Sequence, residues 1–153
     1  YPMTLRLGDE EVQITPLPGH TEGDVIVYFA RARVLHIGDR YFPIKGQVTW
    51  MFPGPDFWGH MSMMDALVKG LPDDGLLIPG HGAPVPLLHL KRSHQAMRGA
   101  VDYVAEAIND GLSLEEIGEE GLPTEWTEWS RGREAQWLAF FYEQIPLGSD
   151  TPD

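Results

Sequence analysis

Leu17-Pro18-Gly19-His20-Thr21-Glu22-Gly23-Asp24 is the stretch that decides how this chain is read. It lies between two strand-like runs, Val12 to Leu17 and Asp24 to Ala30. Two glycines and a proline around a single histidine describe a tight, shaped turn rather than a plain linker. Such a turn can present an imidazole at the end of a sheet, where ligands and metals are commonly held. The same build recurs at Ile37-Gly38-Asp39 and at Ile78-Pro79-Gly80-His81-Gly82. An apolar strand, a glycine turn and a side chain able to ligate a metal therefore follow one another three times.

Outward from that stretch, the hydrophobic periodicity lays out an α/β chain. Thr4 to Leu7 and Val12 to Leu17 alternate apolar and polar residues around Gly8-Asp9-Glu10-Glu11, which predicts a β-hairpin. Asp24 to Ala30 is a continuous apolar run, read as a strand buried on both faces. Val34 to Ile37 is a further short strand, with His36 as a packing residue within it. From Arg40 to Asp56 no periodicity appears, and Gly46, Pro53, Gly54 and Pro55 mark a long loop. Phe57 to Gly70 reads as a helix and Gly75 to Ile78 as a strand. After Pro86 the spacing of Leu87, Leu90, Met97, Val101, Val104 and Ile108 predicts one long amphipathic helix. Ser113-Leu114-Glu115-Glu116 has the form of a capping box, and Gly132 to Ile145 gives a last helix. A single domain over residues 1–148 and a polar tail over 149–153 are expected.

The composition narrows the chemistry. The 153 residues carry 23 acidic and 11 basic side chains, a formal net charge of −12, which excludes the basic footprint of a nucleic-acid partner. There is no cysteine, so a metal would have to be held by His, Asp or Glu. No apolar run reaches the roughly 18 residues of a membrane span, and no signal peptide is visible, so the expectation is a soluble protein of the cytoplasm or periplasm. His20, Asp39 and His81 are the candidate ligands. Two imidazoles and a carboxylate suit zinc, with iron or manganese as alternatives. Thr21 and Asp24 are candidates for orienting the first loop, against a plainer role in turn hydrogen bonding. Trp50, Phe52, Trp58 and His60 are candidates for the wall of a substrate pocket, with core packing or a dimer contact as the alternative.

Pro18-Gly19-His20-Thr21-Glu22-Gly23-Asp24, Gly38-Asp39-Arg40-Tyr41-Phe42 and Pro79-Gly80-His81-Gly82 resemble three successive motifs of the metallo-β-lactamase fold hydrolases. They occur in that family's order, 19 residues separating His20 from Asp39 and 42 separating Asp39 from His81. The resemblance implies part of an αββα sandwich, with one mixed sheet and helices following. It also implies a metal-dependent hydrolase of small molecules, in which His20 completes a first metal site, Asp39 bridges two metals as the catalytic carboxylate, and His81 ligates the second. One departure stands out: the family's H-x-H-x-D-H motif is absent. His36, His60, His89 and His94 remain, no two of them separated by a single residue. The chain therefore resembles the C-terminal half of such a domain, with room for one metal or none by itself. Such a half would expose an apolar sheet face. A non-catalytic remnant or an oligomerising module, a homodimer through that face, is the alternative reading.

Overall fold

The computed structural model describes residues 1–18, 20–44, 47–49, 57–130 and 132–146. Strands β1 (Met3–Leu7), β2 (Glu10–Pro16), β3 (Val25–Phe29) and β4 (Val34–Gly38) follow one another. Next come a short pair, β5 (Phe42–Ile44) and β6 (Gln47–Thr49), helix α1 (Phe57–Gly70), and strands β7 (Leu76–Pro79) and β8 (Val85–Pro86). Four helices end the chain: α2 (Leu87–Asn109), α3 (Leu114–Glu120), α4 (Thr124–Ser130) and α5 (Glu134–Gln144). The described residues group into two compact units, Tyr1–His94 and Gln95–Asp153, and α2 runs from one into the other.

The first unit is built on one mixed six-stranded sheet in the order β1-β2-β3-β4-β7-β8. Every pairing is antiparallel except β4 with β7. β7 is thus reached from β4 by a crossover that includes α1, as a parallel pairing requires. The register Leu35↔Leu77 and Val34↔Leu76 places alternate residues on opposite faces. On one face Ile26, Leu35, Ile37 and Leu77 are buried together with Met64 of α1, Leu71 just after it, and Leu87 and Leu90 of α2. This is the core of the unit.

The opposite face has a different character. It carries Met3, Leu5 and Leu7 of β1, Val25, Val27 and Phe29 of β3, Val34 and His36 of β4, and Leu76 and Ile78 of β7, as the registers dictate. Met3 is 52% exposed, Leu7 63% and Val25 43%, and none of these ten side chains is fully buried, although Val12 of β2, which the register places on the same face, is. The expectation that β3 is buried on both faces is therefore corrected: only the Ile26 side is. A continuous apolar run results because both faces of this strand are apolar, not because both are covered. His36 is likewise exposed rather than packed, and its Nδ1 accepts the Gly38 N–H at 3.1 Å. The long loop expected after Arg40 contains the β5–β6 hairpin, whose three-residue strands are too short to show a period.

In the second unit the helices are set by caps and close contacts. Ser113 and Glu116 form the expected reciprocal capping box at the start of α3. Leu122 N–H donates to the Glu134 carboxylate at 2.8 Å, tying the α3–α4 turn to α5. Gly99 is needed where the Trp126 ring lies against α2, since a Cβ there would collide with the indole. Val101, Val104, Ile117, Leu138 and Phe141 are among the buried residues of this unit.

Leu35 sits at the centre of the sheet with no exposure. Leu35→Ala is expected to lower unfolding free energy by about 2–5 kcal/mol, read by urea denaturation at pH 7.

Candidate functional site

The three glycine turns meet because of strand direction. β2 is antiparallel to β3, β3 is antiparallel to β4, and β4 is parallel to β7. β2, β4 and β7 therefore run the same way, and the residues that follow their C-terminal ends gather on one edge of the sheet. Those residues are the His20 turn, Asp39 and His81. Loops at the carboxyl ends of strands are where α/β sheets ordinarily place their ligands.

Asp24 shapes the first turn. Leu17 N–H donates to the Asp24 carbonyl at 2.9 Å, closing the loop at its base. The Asp24 carboxylate then accepts from the His20 N–H at 2.8 Å, the Thr21 N–H at 2.9 Å and the Thr21 hydroxyl at 2.5 Å. Burial acts to raise the Asp24 pKa, but these bonds and the nearby His20 outweigh it and hold the carboxyl below its ordinary range. Thr21 and Asp24 thus fix the backbone of the turn from which His20 projects.

The second and third turns are locked to each other. Gly38 has a positive φ of 59°, which suits glycine, and its carbonyl accepts the Gly80 N–H at 2.7 Å. A Cβ on Gly80 would collide with the Asp39 carboxylate. The bare backbone of Gly80 is therefore what leaves room for the Asp39 carboxylate beside the His81 turn, while Gly38 is favoured by its φ. His20 Nε2 lies 3.7 Å and His81 Nε2 3.5 Å from the same atom, Asp39 Oδ2. The Phe42 ring packs against the His81 imidazole with centroids 5.2 Å apart.

The structure thus brings His20, Asp39 and His81 onto one point. Among the described residues, no group of three or more His, Cys, Asp or Glu side chains is placed to hold a metal ion. Trp50 and Phe52 lie outside the described residues. Trp58 opens α1 with its ring edge-on to Phe57 at 5.1 Å. His60 is buried, and its Nδ1 accepts from Arg40 Nη2.

Arg40 was not among the candidates read from the sequence. Its signal was nonetheless there: a guanidinium placed between Ile37 and Tyr41-Phe42, in a segment otherwise built for the interior. It is 6% exposed, and among the described residues its Nε and Nη1 have no hydrogen-bond partner. Burial lowers its pKa, while the charge of Asp24 acts in the opposite direction. The next residue, Tyr41, places its hydroxyl on His89 Nδ1. His94, also buried, holds Asp65 of α1 at 2.5 Å through Nε2.

Burial, with the charges of Arg40 and His94, pushes the His60 pKa down from 6.5 to about 4. Between those two pH values the unfolded chain binds a proton that the folded chain does not. Stability therefore falls as the pH drops from 6.5 towards 4, by up to about 3 kcal/mol from this group. His60→Gln is expected to flatten this part of the stability–pH curve, as measured by urea denaturation at pH 7 and pH 4.5. An unchanged curve would show that His60 does not carry it.

No protein-family model matches the sequence. Across 78 residues, half of this chain and 36% of the other, it is 37% identical to a protein of Aquifex aeolicus described as uncharacterized. In three dimensions, 97% of the chain superposes on 26% of a double mutant of the sec-alkylsulfatase PisA1 from Pseudomonas sp., with TM-score 0.67 and 19% identity. A metallo-β-lactamase superfamily protein of Sulfolobus tokodaii, ST1585, matches 63% of this chain over 37% of its own, with TM-score 0.50 and 20% identity. The chain thus spans between 26% and 37% of the length of these relatives. In fold, then, most of the chain is similar to a segment of the alkylsulfatase, and about two thirds of it to part of the metallo-β-lactamase superfamily protein ST1585.

Proposed function

We propose that this chain is the C-terminal part of a metal-dependent hydrolase that cleaves an ester, lactone, thioester, amide or phosphoester. One observation carries the reading: two imidazole Nε2 atoms, from turns 61 residues apart in sequence, approach a single carboxylate oxygen at 3.5 and 3.7 Å. Donors about 2.1 Å from a tetrahedral zinc ion stand about 3.4 Å apart, so these separations suit neighbours in one coordination sphere. The donor chemistry fits as well, since two imidazoles and a carboxylate are ligands for zinc, iron or manganese.

His20 and Asp39 would hold one metal, and Asp39 and His81 a second, with Asp39 shared. Two donors per metal fall short of the three or four protein ligands such sites use, which is why the remaining donors are assigned to an H-x-H-x-D-H segment outside this chain. A bound metal would supply Lewis acidity and a hydroxide nucleophile near neutral pH. This chain's own part is positional. Asp24 and Thr21 fix the His20 turn, the bare backbone of Gly80 leaves room for Asp39 beside the His81 turn, and Phe42 limits the rotation of the His81 ring.

The open sheet face supports a second reading, a module of the same fold that pairs with a second copy of itself. Of the ten side chains on that face, nine are apolar and the tenth is His36, and five of them, Met3, Leu5, Leu7, Val25 and Leu76, are large hydrophobics exposed to solvent. Light scattering distinguishes the two: a dimer at micromolar concentration favours self-pairing, and a monomer counts against it.

Zinc titration by calorimetry tests the leading reading. His20→Ala, Asp39→Asn and His81→Ala are each expected to weaken zinc uptake at least tenfold, with Asp39→Asn the most severe because both pairings use its carboxylate. Supplying an H-x-H-x-D-H half-domain is expected to yield hydrolysis. No zinc uptake, together with no activity on complementation, would overturn the reading.

A further inference from the structure

We infer that Arg40 is a positioning residue for this site, holding the Asp39 segment against α1 through His60; the inference rests on the metal reading above. Four consecutive residues each make a separate contact: Asp39 faces His20 and His81, Arg40 reaches His60, Tyr41 reaches His89, and Phe42 packs on His81. Of the four, Arg40 is the residue whose interior position runs against its chemistry. A guanidinium 6% exposed, with two nitrogens that have no acceptor among the described residues, is expensive to keep unless its placement matters. Apolar side chains of similar length would fill the same space without that penalty, as Met does in many cores.

The arrangement explains the choice of Arg. The side chain leaves the backbone directly after Asp39 and ends on α1, so one residue connects the turn to a helix that the core holds rigidly. Its donor geometry is fixed by a planar fork, which Lys lacks. His60 is suited to be the acceptor because, buried, it stays neutral and leaves Nδ1 free of a proton. The charges and titratable groups that bear on this pair are Asp24 from the His20 turn and His94 from α2, itself held by Asp65 of α1. Asp24 is also the acceptor of the His20 and Thr21 amides. Arg40 therefore stands between the two halves of the site, joined to Asp39 by the chain and to the His20 turn by the field of Asp24.

The test uses Arg40→Met, His60→Leu and His60→Gln in the full chain, with zinc as the probe. Zinc affinity is measured by calorimetry, and exchange of the His20 and Thr21 amides is measured by NMR without metal. Arg40→Met and His60→Leu are each expected to weaken zinc binding about tenfold, and the double variant no further than either alone. His60→Gln, which keeps an acceptor for the guanidinium, is expected to stay within about threefold of the parent. A purely structural role would lower the unfolding midpoint equally in His60→Leu and His60→Gln and would leave the zinc affinity of the folded proteins unchanged. That result would overturn the inference while the metal reading stood. Should the parent chain bind no zinc, the metal reading fails, and the metal-free exchange rates decide this inference. Faster exchange at His20 and Thr21 in Arg40→Met and His60→Leu, but not in His60→Gln, supports it; unchanged rates overturn it. Should Arg40→Met not fold, the two His60 variants carry the same comparison.

Discussion

Everything distinctive in this structure depends on how closely two backbones pass at the ends of β4 and β7. The Gly80 N–H to Gly38 carbonyl bond, 2.7 Å long, joins turns that precede and follow a helical crossover. It is made where neither residue has a side chain to intervene. A Cβ on Gly80 would displace the Asp39 carboxylate, and with it the point on which His20 and His81 converge. The parallel register of β4 with β7 brings the turns to the same edge, but only glycine lets them touch. The geometry of the site is in this sense a backbone property, upon which the side chains are hung.

The sheet beneath has two faces with different physical roles. One is sealed by α1 and the start of α2 and supplies the rigidity that strand-end turns need. The other is apolar yet open to solvent, which a stable isolated domain does not usually tolerate over a continuous area. An incomplete donor set and an uncovered sheet face are separate observations. Both are accounted for if this chain is one layer of a larger sandwich, and it spans only 26% of the alkylsulfatase on which it superposes. Self-pairing accounts for the face but leaves the approach of His20 and His81 to Asp39 unexplained.

Much of this was legible in the residues. The turns at His20, Asp39 and His81 follow apolar strands and are flanked by glycine, so their position at the strand ends could be read. The helix over Phe57–Gly70 and the capping box at Ser113 were equally plain, since local pattern and tertiary burial agree there. Other features were hidden for identifiable reasons. A doubly apolar strand such as Val25–Phe29 looks the same whether its second face is covered or bare. The β5–β6 strands are three residues long and carry no period. His60 could be placed on a helix from its spacing, but its partner Arg40 is 20 residues earlier and reaches it only after the crossover folds back.

The central claim is that His20, Asp39 and His81 act as one metal-binding unit. Its most direct measurement is the long-range proton–nitrogen NMR spectrum of the histidine side chains during zinc titration. The account predicts that the Nε2 resonances of His20 and His81 shift together, while His36 on the open face does not, and that Asp39→Asn abolishes both shifts. Zinc-induced shifts confined to other histidines, or an Asp39→Asn variant that responds as the parent does, would contradict it.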